Sequence, residues 1–101
     1  MGESRSHKTT ANRLARRLGT DYHSDKGVDI VTDSVAIEVE TEGNVSDGIR
    51  QLQGHKKPVY IAGANQATVE EALEKTTGTT VGVMDSQGNI VKPSARQKRW
   101  R

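Results

Sequence analysis

Asp29, Glu38 and Glu40 are the residues whose types and spacing could do chemistry, because three carboxylates held close together bind a divalent metal ion. Oxygen ligands favour Mg²⁺ or Mn²⁺ over zinc, in a chain with no cysteine and three histidines. Such an ion polarises a phosphoryl oxygen and lowers the pKa of a bound water, as phosphodiester hydrolysis requires. The alternative is an acidic, solvent-facing side of a hairpin with no function.

The three acids fall in a predicted β-hairpin, and its register decides whether they meet. Residues 28–31 and 35–40 are rich in β-branched side chains, and turn-forming residues join them. A symmetric four-residue loop places Asp29 opposite Glu38, with Glu40 two residues further along the same face. A three-residue loop would shift the pairing by one and separate the acids.

Residues 27–31 (GVDIV) and 36–40 (AIEVE) resemble the core of the PD-(D/E)XK nuclease superfamily. In layout the chain is nearest to its small archaeal Holliday junction resolvases, with a leading helix, an Asp in a hairpin, an acidic triplet, a helix and further strands. The resemblance covers about residues 10–85. It implies a restriction-endonuclease-like α/β fold, with a mixed sheet and flanking helices. The implied activity is Mg²⁺- or Mn²⁺-dependent endonuclease action on DNA, branched DNA included.

Carried over by position, the resemblance makes Asp29 and Glu38 metal ligands. Glu40 stands where most members carry the catalytic lysine, and a minority of the restriction enzymes use an acid there, so Glu40 would help to bind metal or position water. Gln51 resembles a glutamine on the following helix and would orient a water or a phosphate. The alternative implied by the missing lysine is a catalytically inactive nucleic-acid-binding module of the same fold.

Other residues were weighed as partners of the acids. The predicted leading helix offers no acidic residue, although many members of the superfamily have one there. Lys56 or Lys57 could approach the site in place of the missing lysine. His7, His23 and His55 lack a metal-ligating spacing, and a lone histidine is more often a surface residue than a catalyst.

The charge distribution predicts a polyanionic partner. The net charge of +2 divides into +4 over residues 1–20, −7 over residues 21–91 and +5 over residues 92–101. Basic ends around an acidic body suit nucleic acid, which we expect to be DNA, and Trp100 could stack on an unpaired base or on an arginine. Solvated basic tails are the alternative. The candidate nucleic-acid-binding residues are Arg13, Arg16, Arg17, Lys56, Lys57, Arg96, Lys98, Arg99, Trp100 and Arg101.

Hydrophobic periodicity predicts the elements that position these residues. Their order is helix, hairpin, helix, strand, helix, strand, strand, which indicates a mixed sheet with helices packed against it. Thr9 or Thr10 is expected to cap the first helix, and Gly19 to end it. Outside the hairpin, the predicted helices cover residues 10–18, 44–54 and 67–75, and the predicted strands cover residues 59–62, 79–84 and 89–91.

Length and composition predict one small domain over residues 1–93 and a basic C-terminal tail over residues 94–101. With 32% apolar residues and no phenylalanine, the core is thin, so we expect a homodimer. The lack of cysteine excludes disulfides, thiolate zinc sites and cysteine nucleophiles. No apolar run reaches the length of a membrane span or a signal peptide, so we expect a cytoplasmic protein without membrane contact.

Overall fold

The structure, a computed structural model, describes residues 5–20, 22 and 28–96, with side chains from His7 onward. In this part of the chain three helices flank one five-stranded sheet, in the element order that the sequence predicts. None of the described helices has the length and apolar character needed to cross a bilayer. The elements are α1 (Arg5–Arg17), β1 (Ile30–Val31), β2 (Ala36–Glu40), α2 (Val45–Gln51), β3 (Val59–Gly63), α3 (Gln66–Lys75), β4 (Gly82–Met84) and β5 (Ile90–Lys92).

The sheet is mixed, and its strands lie side by side in chain order. The central strands β2, β3 and β4 are parallel to one another, because α2 and α3 serve as crossovers between them. The outer strands β1 and β5 pair antiparallel with β2 and β4. The carboxyl ends of the three central strands therefore meet at one edge of the sheet. The predicted α/β class with a mixed sheet and flanking helices is confirmed.

Each face of the sheet is covered by helices through its own apolar cluster. On the α1 face, Leu14 packs with Ile37 and Val39 of β2. On the α2/α3 face, Ala36 of β2 packs with buried side chains that include Val45 of α2 and Ala72 of α3. Because side chains alternate along a strand, Glu38 and Glu40 belong to the α2/α3 face, together with Ala36.

Helix α1 includes more residues than its apolar spacing predicts. It is described from Arg5, so Thr9 and Thr10 lie inside the helix and are not its caps, which corrects the sequence prediction. The pattern missed this turn because Thr10, a polar residue, occupies a buried position of the helix. The predicted end is confirmed: Gly19 has a φ of 70°, a conformation that glycine adopts without steric cost.

The segment after β5 packs on the domain as far as it is described. Ser94 Oγ donates a hydrogen bond to the Thr80 carbonyl oxygen over 2.8 Å. Arg96 Nη1 donates to the carbonyl oxygens of Leu52 and His55 at the end of α2, over 2.8 and 3.1 Å. Residues 94–96, assigned to the tail from sequence, thus make specific contacts with the domain. Lys98, Arg99, Trp100 and Arg101 lie outside the described residues.

Candidate functional site

The hairpin has the register that the sequence predicts. Ile30 pairs with Ile37 across β1 and β2, and a backbone hydrogen bond closes the four-residue loop between them. Counting one residue outward from this pair places Asp29 opposite Glu38. Because β1 runs antiparallel to β2, Asp29 lies at the carboxyl end of β2, where Glu40 is the last strand residue. The tertiary fold therefore brings the three predicted acids to one end of the hairpin.

The carboxyl groups of the site are largely removed from solvent. Asp29 and Glu38 are each 5% exposed, and Glu40 is half-buried. A solvated acidic side of a hairpin would leave its carboxylates in water, so this alternative is wrong for Asp29 and Glu38. The sequence could not show this, because burial depends on how the helices pack on the sheet.

Asp29 is held by contacts from two elements, helix α1 and strand β2. Its Oδ2 accepts a hydrogen bond from the backbone N–H of Val39 over 2.9 Å and lies 3.2 Å from Nε2 of His7. Its backbone N–H donates to Oε1 of Glu38 over 3.3 Å. Two buried carboxyl groups placed opposite each other resist double ionisation, so a single proton on the pair is favoured when no cation is bound.

The pKa values of this pair are driven apart. Burial raises the pKa of Glu38, and the hydrogen bond to Asp29 and the charge of Asp29 raise it further, to about 10. Burial alone would also raise the pKa of Asp29, but hydrogen bonds with His7, Glu38 and the Val39 N–H outweigh it and hold that pKa below its usual value. At neutral pH, Asp29 is therefore ionised and Glu38 carries the proton.

Glu40 fits beneath α2 because residue 48 is glycine. A Cβ atom at Gly48 would lie 2.6 Å from Oε2 of Glu40 and 2.8 Å from Cδ1 of Ile61, closer than real atoms approach. Burial and the negative charges of Asp29 and Asp47 raise the pKa of Glu40 to about 8, against a lowering by His7. Glycine lowers helix propensity, but at position 48 its missing side chain makes room for the acid.

His7 is the residue of the site that the sequence analysis missed. Its ring contacts Asp29 through Nε2, and its Nδ1 lies 3.3 Å from the hydroxyl oxygen of Tyr22. A signal for this position exists, because His7 lies four and seven residues before Ala11 and Leu14 and so extends the inward face of α1. The apolar pattern did not reveal it, since histidine is not an apolar residue.

Three other candidates are not brought to the acids. Gln51 is the last residue of α2 and its side chain is exposed. Lys57 donates from Nζ to the carbonyl oxygen of Thr32 over 2.8 Å, at the hairpin turn and thus at the opposite end of β2 from Glu40. Lys56 is exposed beside it. Lys57 therefore does not take the place of the missing lysine in this structure.

The basic residues of α1 are divided between structural contacts and solvent. Arg13 and Arg17 donate from Nη1 to the carbonyl oxygens of Ser86 and Gln87, over 3.0 and 2.6 Å, and so tie α1 to the β4–β5 turn. Arg16 is exposed. These anchoring contacts, like those of Arg96, were not predicted, because each joins residues more than forty positions apart.

The donor set suits a hard cation, although its present contacts are those of a protonated pair. Among the residues that the structure describes, no three His, Cys, Asp or Glu side chains are gathered in a metal-ligating group. Asp29 and Glu38 nevertheless offer buried, adjacent carboxyl oxygens, the ligand type that Mg²⁺ and Mn²⁺ prefer. Glu40 is further along the same strand face and would have to turn toward them to become a third ligand.

Comparison with known proteins gives no match that could assign a function to this site. No protein-family model, curated protein or solved structure matches the chain. The nuclease resemblance of residues 27–31 and 36–40 therefore stays a prediction. The case for a function depends on the contacts, burial and charges of the site.

Proposed function

We propose that the protein hydrolyses phosphodiester bonds of nucleic acid, and that Asp29 and Glu38 hold the Mg²⁺ or Mn²⁺ ion that the reaction needs. The observation that carries the proposal is the burial of two directly opposed carboxyl groups, each 5% exposed. Opposed like charges destabilise a strand pair, and buried charges are costly unless compensated. A bound divalent cation would compensate both carboxylates.

The place of the pair in the sheet also supports ligand binding. Open α/β sheets bind their ligands beyond the carboxyl ends of the parallel strands. Glu40 ends β2 at that edge, and Asp29 lies beside it. The helix, the hairpin and the crossover through α2 to a parallel strand agree with the restriction-endonuclease-like layout that we propose for this domain.

The chain's own residues have distinct tasks in this proposal. When bound, the ion would polarise a phosphoryl oxygen and lower the pKa of a water. Asp29, already ionised, would bind first, and Glu38 would lose its proton to bind beside it. Glu40, with a pKa raised to about 8, can hold or release a proton near neutral pH, which suits a residue that positions or deprotonates water.

Nucleic acid, with DNA and branched DNA as the first substrates to test, is proposed from the basic segments. Arg16 and Lys56 are exposed cations in the described part of the chain, and each phosphate that such cations neutralise makes binding more sensitive to salt. We propose that two copies act together, because the core is small and many such substrates need two cuts. Sedimentation as a monomer at high concentration would contradict the dimer.

The test is cleavage of linear duplex and four-way junction DNA with Mg²⁺ or Mn²⁺. Asp29→Asn and Glu38→Gln are expected to lower the cleavage rate by roughly 100-fold or more, because each removes a ligand of the ion. Glu74→Gln, an exposed acid on α3, is the matched control and should cleave as the natural chain does. Undiminished cleavage by both site variants would overturn the proposal.

A second candidate is a nucleic-acid-binding module of the same fold without catalysis. It is favoured by Glu40 at the position of the usual lysine, and by the burial beside Asp29 that raises the pKa of Glu38 and so disfavours the ionised form that a metal ion needs. Both candidates predict salt-sensitive binding of nucleic acid. They differ in the ion: the module binds DNA equally well in EDTA and in Mn²⁺ and does not cleave it.

A further inference from the structure

We propose that His7 is a positioning residue that orients the carboxylate of Asp29 for the metal ion, with Tyr22 fixing the orientation of its ring. The proposal deepens the function proposed above and rests on it, because Asp29 is taken to be a ligand. It adds α1, an element on the far face of the sheet, to the machinery of the site.

The geometry forms a chain of three side chains. His7 Nε2 lies 3.2 Å from Asp29 Oδ2, and the Tyr22 hydroxyl oxygen lies 3.3 Å from His7 Nδ1. The side chains of His7 and Asp29 are 13% and 7% exposed. The two rings lie 5.9 Å apart between centroids, with planes inclined at 58°. The contact to Asp29 is thus largely shielded from water, and the tyrosine ring packs beside the imidazole.

Hydrogen-bond chemistry decides which nitrogen of His7 donates to Asp29. An ionised carboxylate only accepts hydrogen bonds, so Nε2 of His7 must carry the hydrogen that points to Asp29. Where the imidazole carries one hydrogen, its Nδ1 accepts a hydrogen bond from the hydroxyl of Tyr22, and where it carries two, Nδ1 donates to that hydroxyl. In both states Nε2 donates to Asp29.

Asp29 needs such support because it is not held by the strand ladder. It directly precedes β1, and its carboxylate is fixed by its own contacts. The Val39 N–H and His7 Nε2 both approach Oδ2, which uses the hydrogen-bonding capacity of that oxygen. The other oxygen, Oδ1, faces neither of these two donors, and we propose it as the oxygen that binds the ion in place of the proton shared with Glu38. Without His7, the carboxylate could rotate about its last bond.

The support behind His7 is rigid. Leu14 of the same helix is 1% exposed in the cluster on the α1 face, and Arg13 and Arg17 tie α1 to the β4–β5 turn. Partners that orient a ligand from behind typically change metal affinity roughly 10–100-fold when they are removed. An effect of that size is what a positioning role for His7 predicts.

The experiment is a Mn²⁺ titration of the full chain, followed by the electron paramagnetic resonance signal of free Mn²⁺, together with Mn²⁺-dependent DNA cleavage. His7→Leu is expected to raise the Kd for Mn²⁺ roughly 10–100-fold. His7→Gln, whose amide can donate as Nε2 does, should recover binding to within a few-fold. His55→Gln is the matched control and should bind Mn²⁺ as the natural chain does.

A second readout on the natural chain does not depend on a variant that folds. Nitrogen NMR of the imidazole is expected to show a hydrogen on Nε2 of His7. A ring that carries its hydrogen on Nδ1 alone would overturn the proposed hydrogen bond from His7 to Asp29. Tyr22→Phe should raise the Kd for Mn²⁺ by only a few-fold.

The outcomes separate this proposal from the function on which it rests. Unchanged Mn²⁺ affinity in His7→Leu, with binding lost in Asp29→Asn, overturns the role of His7 and leaves the metal site in place. Equal loss in His7→Leu and His7→Gln, both folded by circular dichroism, overturns the hydrogen-bond mechanism. A natural chain that does not bind Mn²⁺ at all overturns the metal site itself.

Discussion

The two faces of strand β2 carry opposite chemistry at similar burial. On the α1 face, Ile37 and Val39 are fully buried in an apolar cluster. On the α2/α3 face, two residues of the same strand are acids, and Glu38 is 5% exposed. The first face stabilises the fold by removing apolar surface from water, whereas the second holds a carboxyl group at a cost in solvation. Burial in this small domain therefore serves stability on one face and, we propose, function on the other.

The largest effect is expected from a substitution on the apolar face of β2. Ile37→Ala should lower the free energy of unfolding by about 2–4 kcal/mol, because it leaves a cavity under α1. Glu38→Gln should leave that free energy unchanged or raise it, since an amide can donate to Asp29 without the raised pKa. Urea unfolding of both variants in EDTA measures the contrast. Similar losses in both variants would mean that the acid is a structural element like the isoleucine.

The next effect is the pH dependence of stability without metal. Glu38 and Glu40 have pKa values raised to about 10 and about 8, so the folded state binds their protons more tightly than the unfolded state does. Their contribution to the free energy of unfolding is complete below the usual pKa of 4.5 and is lost as pH rises through the raised pKa values. The pKa of Asp29 is lowered, so its contribution is instead lost in acid.

Urea unfolding in EDTA should therefore show a free energy of unfolding that falls between about pH 5 and pH 9, on the order of 1 kcal/mol per pH unit. Saturating Mn²⁺ should weaken the fall, because a bound cation favours the ionised acids. Glu38→Gln is the control and should make the fall less steep, leaving the part that Glu40 contributes. A flat curve for the natural chain would contradict the protonated pair.

The smallest effect is expected from a substitution beside Glu40 on the acidic face. Gly48→Ala should change the free energy of unfolding by less than about 1 kcal/mol, because better helix propensity offsets the crowding of Glu40 and Ile61. Cleavage should fall several-fold, since the added methyl group displaces the Glu40 carboxyl. Ser46→Ala on the same helix is the control, with DNA cleavage and urea unfolding as the measurements. Unchanged cleavage in Gly48→Ala would remove Glu40 from the proposed machinery.

Local patterns predicted much of the site's frame. The β-branched runs and the turn between them predicted the register of Asp29 against Glu38, because strand pairing and side-chain alternation are local rules. The same rules could not predict that these acids are buried, since the covering helices are placed by the crossovers. They also missed His7, which lies 22 residues before Asp29 and meets it only through packing of α1.

The sequence by itself determined the order of the elements, the pairing of the hairpin and the side of β2 on which the acids point, because these follow from periodicity and turn length. Only the tertiary structure decided that Asp29 and Glu38 share a proton, that Gly48 makes room for Glu40, and that His7 contacts the pair. It also decided that Arg13, Arg17 and Arg96 bind backbone carbonyl groups of the domain. These outcomes depend on distances between segments remote in the chain, which no local pattern of residues contains.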